Sequence, residues 1–174
     1  MVKKAFTLIE LLIVVVIIGV VYGLVINSMK KINDKEAHLN FETLPAFVKS
    51  LQQQNDVAFI CLDNCKECGI YIEGEKVKDI KPFMKEERDL QFWTFDVRLG
   101  MTELLFTPIF DEDDREFDVC FQYKIFSDGS SSEMIIETKD ATYDYRGLSH
   151  KVDRYFSLQA AQDAREEELE KVLQ

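Results

Sequence analysis

Four cysteines are the residues in this chain best suited to chemistry, and Cys61, Cys65, Cys68 and Cys120 admit three readings. The run C-x-x-x-C-x-x-C is a spacing with which radical enzymes hold an iron–sulfur cluster, but such clusters need reduced thiolates and a cofactor-sized barrel. About 120 residues follow Gln54, too few for a barrel of roughly 250. Structural zinc in a ribbon needs two close pairs, and the 52-residue spacing from Cys68 to Cys120 breaks that pattern. Disulfides are the default for an even set in an oxidising compartment. Four cysteines allow three connectivities. The expected one clips Cys65 to Cys68 locally and joins Cys61 to Cys120 between two strand-like runs, a long loop worth about 4 kcal/mol in the chain-entropy treatment.

Oxygen ligands are also plentiful. Asp111, Glu112, Asp113, Asp114, Glu116 and Asp118 gather enough carboxylates for calcium. The run lacks the glycine and terminal glutamate of an EF-hand in register, so a solvated loop is the simpler account. His38 and His150 are the only two histidines, and neither sits in a motif for acid–base or nucleophilic work. The chain therefore reads as a non-enzyme without a cofactor. Its formal net charge of −11, from 32 acidic and 21 basic residues, opposes a sequence-independent grip on phosphate backbones, and no direct nucleic-acid binding is expected.

The remaining reactive residue is Glu10, which lies in an apolar run. From Phe6 to Ile26, 17 of 21 residues are apolar and Glu10 carries the one charge. As a helix this run spans about 32 Å at 1.5 Å per residue, against a hydrocarbon core of about 30 Å. A carboxylate inside such a span costs about 2.5 to 3.5 kcal/mol on insertion scales and usually has a partner and a function. No Lys, Arg or His lies between Lys4 and Lys30, so a cation within the span must come from another subunit, and a new amino terminus is an attractive one. The simpler alternative is a protonated or snorkelling Glu10. Lys3 and Lys4 before the span and Lys30 and Lys31 after it leave the charge bias balanced, and the very short N-terminal side favours a cytoplasmic N terminus with the body exported. A cleaved secretory signal fits less well, because Val21-Tyr22-Gly23 lies inside the apolar run. Gly19 and Gly23 form a G-x-x-x-G pair suited to close helix packing.

The residues Lys3-Lys4-Ala5-Phe6-Thr7-Leu8-Ile9-Glu10-Leu11-Leu12-Ile13-Val14 resemble the class III leader of type IV pilins and pseudopilins. The resemblance covers about the first 30 residues closely. It implies cleavage between Ala5 and Phe6 by a prepilin peptidase, N-methylation of Phe6, and extraction of the helix into a filament core. There Glu10 pairs with the methylated amine of a neighbouring subunit. Ala5 stands where the family most often has Gly, and the late helix Pro of many major pilins is missing. The segment from Ile125 to Ile135, with Phe126 and Gly129, is similar to the late hairpin of the H-type minor pseudopilins.

These parts need elements to position them. The apolar residues from Asn27 to Gln54 recur at mostly helical spacing and predict a stem that Pro45 kinks or divides. Strand-like segments follow at Val57–Leu62, Gly69–Glu73, Gln91–Val97, Leu104–Phe110, Glu116–Phe126, Glu133–Thr138 and Ala141–Tyr145, with a hairpin loop at Ser127–Ser132. The alternation of Phe117, Val119, Phe121, Tyr123 and Ile125 with polar residues marks a sheet buried on one face. A tail helix over Ser157–Gln174 carries the acidic run Glu166, Glu167, Glu168 and Glu170, read as a solvated face. The expected fold is α+β: a long N-terminal helix, transmembrane in its first half, packed on one antiparallel sheet, with a C-terminal helix. The expected divisions are a leader at 1–5, a transmembrane and filament-core helix at 6–26, a stem at 27–54 and a periplasmic domain at 55–174.

The resemblance implies a minor pilin or pseudopilin in a filament for secretion, pilus biogenesis or DNA uptake. Its precursor would be a single-pass inner-membrane protein with a periplasmic body. Its partners would be the prepilin peptidase, other pilin subunits, the inner-membrane assembly platform and the membrane itself. The last cysteine is Cys120 and the chain ends in a charged helix, which favours a minor subunit over a major one. The competing expectation is a membrane-anchored periplasmic ligand- or metal-binding domain that does not polymerise.

Overall fold

The structure is a computed structural model that describes residues 9, 11–18, 39–84, 90–110 and 113–173. The chain divides into two compact units, Met1–His38 and Leu39–Gln174. In the first unit residues 11–18 are helical. The second unit is α+β.

Its elements in chain order are helix α1 (Leu44–Leu51), strands β1 (Val57–Leu62), β2 (Glu67–Ile72), β3 (Glu75–Ile80), β4 (Gln91–Asp96), β5 (Gly100–Glu103), β6 (Ile109–Phe110), β7 (Glu116–Phe117), β8 (Val119–Ile125), β9 (Met134–Glu137), β10 (Thr142–Tyr145) and β11 (Val152–Tyr155), and helix α2 (Leu158–Leu173). They form two larger sheets, ordered β3-β2-β1-β8 and β11-β10-β9-β4-β5, and the small hairpin β6-β7. All pairings are antiparallel. The single sheet expected from the sequence is thus corrected to two.

Strand β1 explains much of the packing. Its sequence VAFICL is apolar throughout and all six residues are buried, so both faces of the sheet must be covered there. On one face Phe59 meets Phe83 and Phe121, with ring centroids 6.0 Å apart in each case. Phe41 stands 5.2 Å from Phe83 in an edge-on arrangement, and α1 adds the buried Leu44, Phe47 and Val48. On the other face Ala58, Ile60 and Leu62 pack with Tyr71, Ile109, Phe117 and Val119, so the β6-β7 hairpin serves as a cover.

The stem read from the sequence is interrupted ahead of Pro45. Residues 39–43 are not α-helical, and Pro45 sits in the first turn of α1, where its missing N–H would have had no partner. Asn40 and Thr43 prepare that start reciprocally. The Thr43 N–H donates to Asn40 Oδ1 at 2.9 Å and the Asn40 N–H donates to Thr43 Oγ1 at 3.0 Å, as in a capping box. Residues 39–54, read as the end of the stem, fold into the second unit.

Two strand expectations are also corrected. Of Leu104–Phe110 only Ile109–Phe110 is strand, because Pro108 supplies no ladder donor. Beyond the Ser127–Ser132 loop the chain does not return along β8. A single bridge, Ile125 to Ser131, closes the turn, and β9 then joins the other sheet.

Helix α2 starts at Ser157, whose Oγ accepts from the Ala160 N–H at 3.2 Å. It docks through charge as much as through apolar contact. Ala161 is fully buried, and Arg165 donates bidentately to Asp144, which is itself fully buried, at 2.8 and 2.5 Å. Glu133 accepts from the same guanidinium, and Arg146 bridges Asp144 at 3.0 Å and Glu168 at 2.5 Å. Burial pushes the Asp144 carboxyl above its usual range, against the pull of Arg165 and Arg146. Removing Arg165 leaves the buried Asp144 with Arg146 as its remaining cation and breaks the bidentate bond that holds α2. Arg165→Ala should therefore cost about 3 to 5 kcal/mol and release α2, read as a lower melting temperature and faster amide exchange in residues 158–173.

Candidate functional site

Two regions hold the candidate functional residues, and each is described separately. In the N-terminal region Ala5, Phe6, Glu10, the Gly19–Gly23 pair and His38 lie outside the described residues. Ile9 and residues 11–18 are described, and all of them are Ile, Leu or Val. Each of these described residues is between 46% and 67% exposed. A surface of that kind is stable only when lipid or other helices surround it. Among the described residues no helix is long and apolar enough to cross a membrane.

The cysteines sit in the second unit, and their pairing corrects the expected one. Cys61 is bonded to Cys68, and Cys65 to Cys120. The reason is register. In the β1-β2 hairpin Cys61 and Cys68 are direct cross-strand partners, with Cα atoms 4.0 Å apart. On its other side Cys61 faces Phe121 in the unbroken register that starts at Val57–Ile125, and the ladder then shifts to Leu62–Val119 and skips Cys120. Cys65 is then the partner left for Cys120, at a Cα separation of 5.5 Å.

Turn chemistry places Cys65. Asp63, Asn64 and Cys65 all adopt left-handed backbone, with φ of 50°, 53° and 59°. Asp and Asn tolerate this conformation through local hydrogen bonds, whereas a cysteine needs an outside constraint. The bond to β8 supplies it. The Lys66 N–H closes the turn on the Leu62 carbonyl at 3.1 Å, and the Asp63 N–H donates to the Asp118 carbonyl at 3.2 Å. Cys61, Cys65 and Cys68 are all buried and no free cysteine remains.

At the opposite end of β1 a second tie joins the same strands. Asp56 receives the Lys124 ammonium at 2.7 Å and the Ser127 N–H at 2.8 Å, while its own N–H donates to Glu73 Oε1 at 3.1 Å. The Lys124 hydrogen bond and the Ser127 N–H hold the Asp56 carboxyl below the usual aspartate range. Lys124 also lies over the Phe126 ring, 4.9 Å from its centroid. Beside these residues a groove of about 360 Å³ opens on the outer face of the first sheet, floored by Ala58 and Ile60 and walled by Tyr71 and Gln122.

Other candidates are not gathered into a site. Asp111 and Glu112 lie outside the described residues, and Asp113 is paired with Arg115 at 3.1 Å. Among the described residues no group of three or more His, Cys, Asp or Glu side chains is placed to hold a metal ion. The ring nitrogens of His150 are buried without a hydrogen-bond partner among the described residues, and burial lowers its pKa. The charged cluster of Asp144, Arg146, Arg165, Glu133 and Glu168 was not anticipated from the sequence. Its signal was an aspartate at an inward position between Tyr143 and Tyr145, with an arginine in the otherwise acidic tail.

Comparison with known proteins adds one positive finding. Residues 1–26 match the family described as the prokaryotic N-terminal methylation motif. No curated protein and no solved structure matches the chain.

Two outcomes follow for the second unit. Purified protein should show no free thiols. Cys65→Ser/Cys120→Ser should cost about 4 kcal/mol and Cys61→Ser/Cys68→Ser about 2 kcal/mol in thermal melts, given sequence separations of 55 and 7. For the Asp56 tie, a carboxyl with a lowered folded pKa adds stability above the aspartate value of 3.8 and loses it as pH falls below. Asp56→Asn should melt below the wild type at pH 7, and the difference should shrink as pH is lowered through and below 3.8.

Proposed function

We propose that this chain, a precursor of the type IV pilin and pseudopilin kind whose first 26 residues carry the prokaryotic N-terminal methylation motif, is a minor subunit of an inner-membrane-assembled filament. The single observation that carries this reading is the motif match, on the residues Lys3-Lys4-Ala5-Phe6-Thr7-Leu8-Ile9-Glu10. A prepilin peptidase removes residues 1–5, Phe6 becomes the methylated N terminus, and residues 6–26 first anchor the precursor and then enter the filament core. The all-apolar exposed surface of Ile9 and residues 11–18 supports that second role, since it suits lipid and a bundle of like helices equally well.

Glu10 gives the assembly its register. Its carboxylate has no cation within the span, and the Phe6 amine of a neighbour neutralises it when the two helices are in step. The exported unit does mechanical rather than catalytic work, and disulfides suit an oxidising periplasm. Among the described residues Cys120 is committed to Cys65 and α2 is held by ion pairs rather than by a disulfide-closed loop, which supports a minor rather than a major role.

The mature N terminus, read by mass spectrometry in cells with an active prepilin peptidase, tests the processing step, and methyl-Phe6 is the expected result. An intact Met1 overturns the reading. Glu10→Ala should leave insertion and cleavage intact and reduce recovery in sheared filaments severalfold. Normal incorporation of that variant rules out the pairing role.

A further inference from the structure

The two disulfides are interlaced. In chain order the cysteines are Cys61, Cys65, Cys68 and Cys120, and the first is bonded to the third and the second to the fourth. Neither bond joins sequence neighbours. Cys65 and Cys68 are three positions apart and Cys61 and Cys65 four, while the native pair Cys61 and Cys68 is separated by seven. With loop closure falling as about the −3/2 power of length, roughly one first bridge in seven is Cys61–Cys68. The reduced chain closes the wrong local loop first.

Local structure does little against that bias. Until β8 is in place the β1-β2 hairpin is a two-stranded ribbon, which is marginal in water. Its turn carries Cys65 at a φ of 59°, a conformation held by the bond to Cys120. The covers of β1 include Ile109, Phe117 and Phe121, all downstream of the three clustered cysteines. The order that selects the native pairs therefore forms after the local thiols have met.

A wrong local bridge then fixes the second one. Cys65–Cys68 leaves Cys61 for Cys120, and Cys61–Cys65 leaves Cys68 for Cys120. Either product has no thiol left, and exchange between disulfides requires a thiolate. The mispaired chain must borrow one.

We propose that this chain is a substrate of a thiol–disulfide isomerase in the oxidising compartment, a partner that supplies a reactive thiolate and forms a transient mixed disulfide with the cysteine cluster. The proposal rests on the exported placement of the second unit given above. One complete cycle opens at Cys65. The partner's thiolate attacks Cys65 Sγ, breaks the wrong local bridge and frees the thiolate of Cys61 or Cys68. That thiolate attacks the other member of its native pair, closes Cys61–Cys68 and expels the thiolate of Cys120. The Cys120 thiolate attacks Cys65 Sγ, closes Cys65–Cys120 and returns the partner's thiolate. Three S–S bonds form and three break, so the cycle consumes neither oxidant nor reductant. The product is protected from further attack, because Cys61, Cys65 and Cys68 are buried in the folded unit.

The test produces the full chain in two bacterial strains that share a periplasmic dithiol oxidase, one with and one without a periplasmic disulfide isomerase. Acid quenching, alkylation and non-reducing peptide mapping read the pairs, with cleavage at Asp63 and Lys66 separating the three clustered cysteines. With the isomerase, Cys61–Cys68 and Cys65–Cys120 should predominate. Without it they should fall severalfold, toward the roughly one in seven set by loop closure, and the two mispaired forms should replace them. Purified isomerase added to the mispaired chain should restore the native map, and an isomerase with its active-site cysteines replaced by Ser should not. Cys61→Ser/Cys68→Ser has one possible bridge and should form Cys65–Cys120 equally in both strains, whether or not the variant folds fully. Equal native pairing of the wild-type chain in the two strains, with methyl-Phe6 at its N terminus, overturns the isomerase requirement and leaves the assembly reading standing. Dependence of the double variant on the isomerase overturns it too, since no mispairing is then possible. Four free thiols in both strains overturn the exported placement and this proposal together.

Discussion

The second unit depends on one constraint, that β1 must be dry on both faces. A six-residue strand of Val, Ala, Phe, Ile, Cys and Leu gains nothing from facing water, and no residue in it has a polar group to turn outward. Covering one face calls for α1 and the Phe41, Phe83 and Phe121 rings, and covering the other calls for the β6-β7 hairpin. Its two neighbours, β2 and β8, are then each tied across it. Cys61–Cys68 and Cys65–Cys120 do this at one end, and Asp56 with Lys124 does it at the other. The second sheet is attached through aromatic contacts. Phe92 leans on Phe121 at 5.5 Å, Tyr145 meets Tyr123 at 5.2 Å and Tyr143 meets Phe41 at 5.5 Å.

The sequence was most informative where burial was symmetric or periodic. The limits of β1 follow from its unbroken apolar run, and the alternation through Phe121, Tyr123 and Ile125 follows from a strand buried on one face, since both patterns are set by what water excludes. The strands it did not reveal, β3, β5 and β11, are all at sheet edges. An edge strand has one neighbour to satisfy and often carries charge to block further pairing, so EKVKDI and VDRY look like loops in a hydrophobicity trace. The disulfide pairing was hidden for a different reason. Cys61 and Cys68 are equidistant from the turn centred between Asn64 and Cys65, a symmetry that sets them opposite one another once a tight hairpin is assumed. Cys61 is set against Phe121 by the regular β1-β8 register and Cys120 falls at the irregularity just beyond it, and no local residue pattern announces either placement.

Charge in this protein has two separate uses. Around Asp144 it is internal and nearly balanced, with arginines from β10's neighbourhood and α2 closing on a buried carboxylate, so that a helix with few apolar residues still has one orientation. On the outer side of α2 Glu167 is paired with Lys171 at 2.7 Å, while Glu166 has the Gln162 amide as its donor and faces solvent. The first use fixes where the helix lies, and the second keeps its outer side in water. On the proposed reading of the N terminus the same logic would apply in a low-dielectric setting, where a single carboxylate in an apolar span has far greater leverage than any on the surface.

The Cys65–Cys120 bond also sets how far the protein can lengthen. A pull on the N-terminal region enters the second unit at Leu39, beside the Asn40–Thr43 cap and the Phe41 carbonyl that accepts from the Tyr145 hydroxyl at 2.5 Å. If those contacts gave way and the strands peeled apart, the tension would bypass the loop closed by the bond. With a sequence separation of 55, that loop withholds about 190 Å of contour from the stretched chain. Strands β2 to β7 thus lie off the force path while β1 and nearly all of β8 stay on it, and a subunit strained to its limit still holds that loop closed.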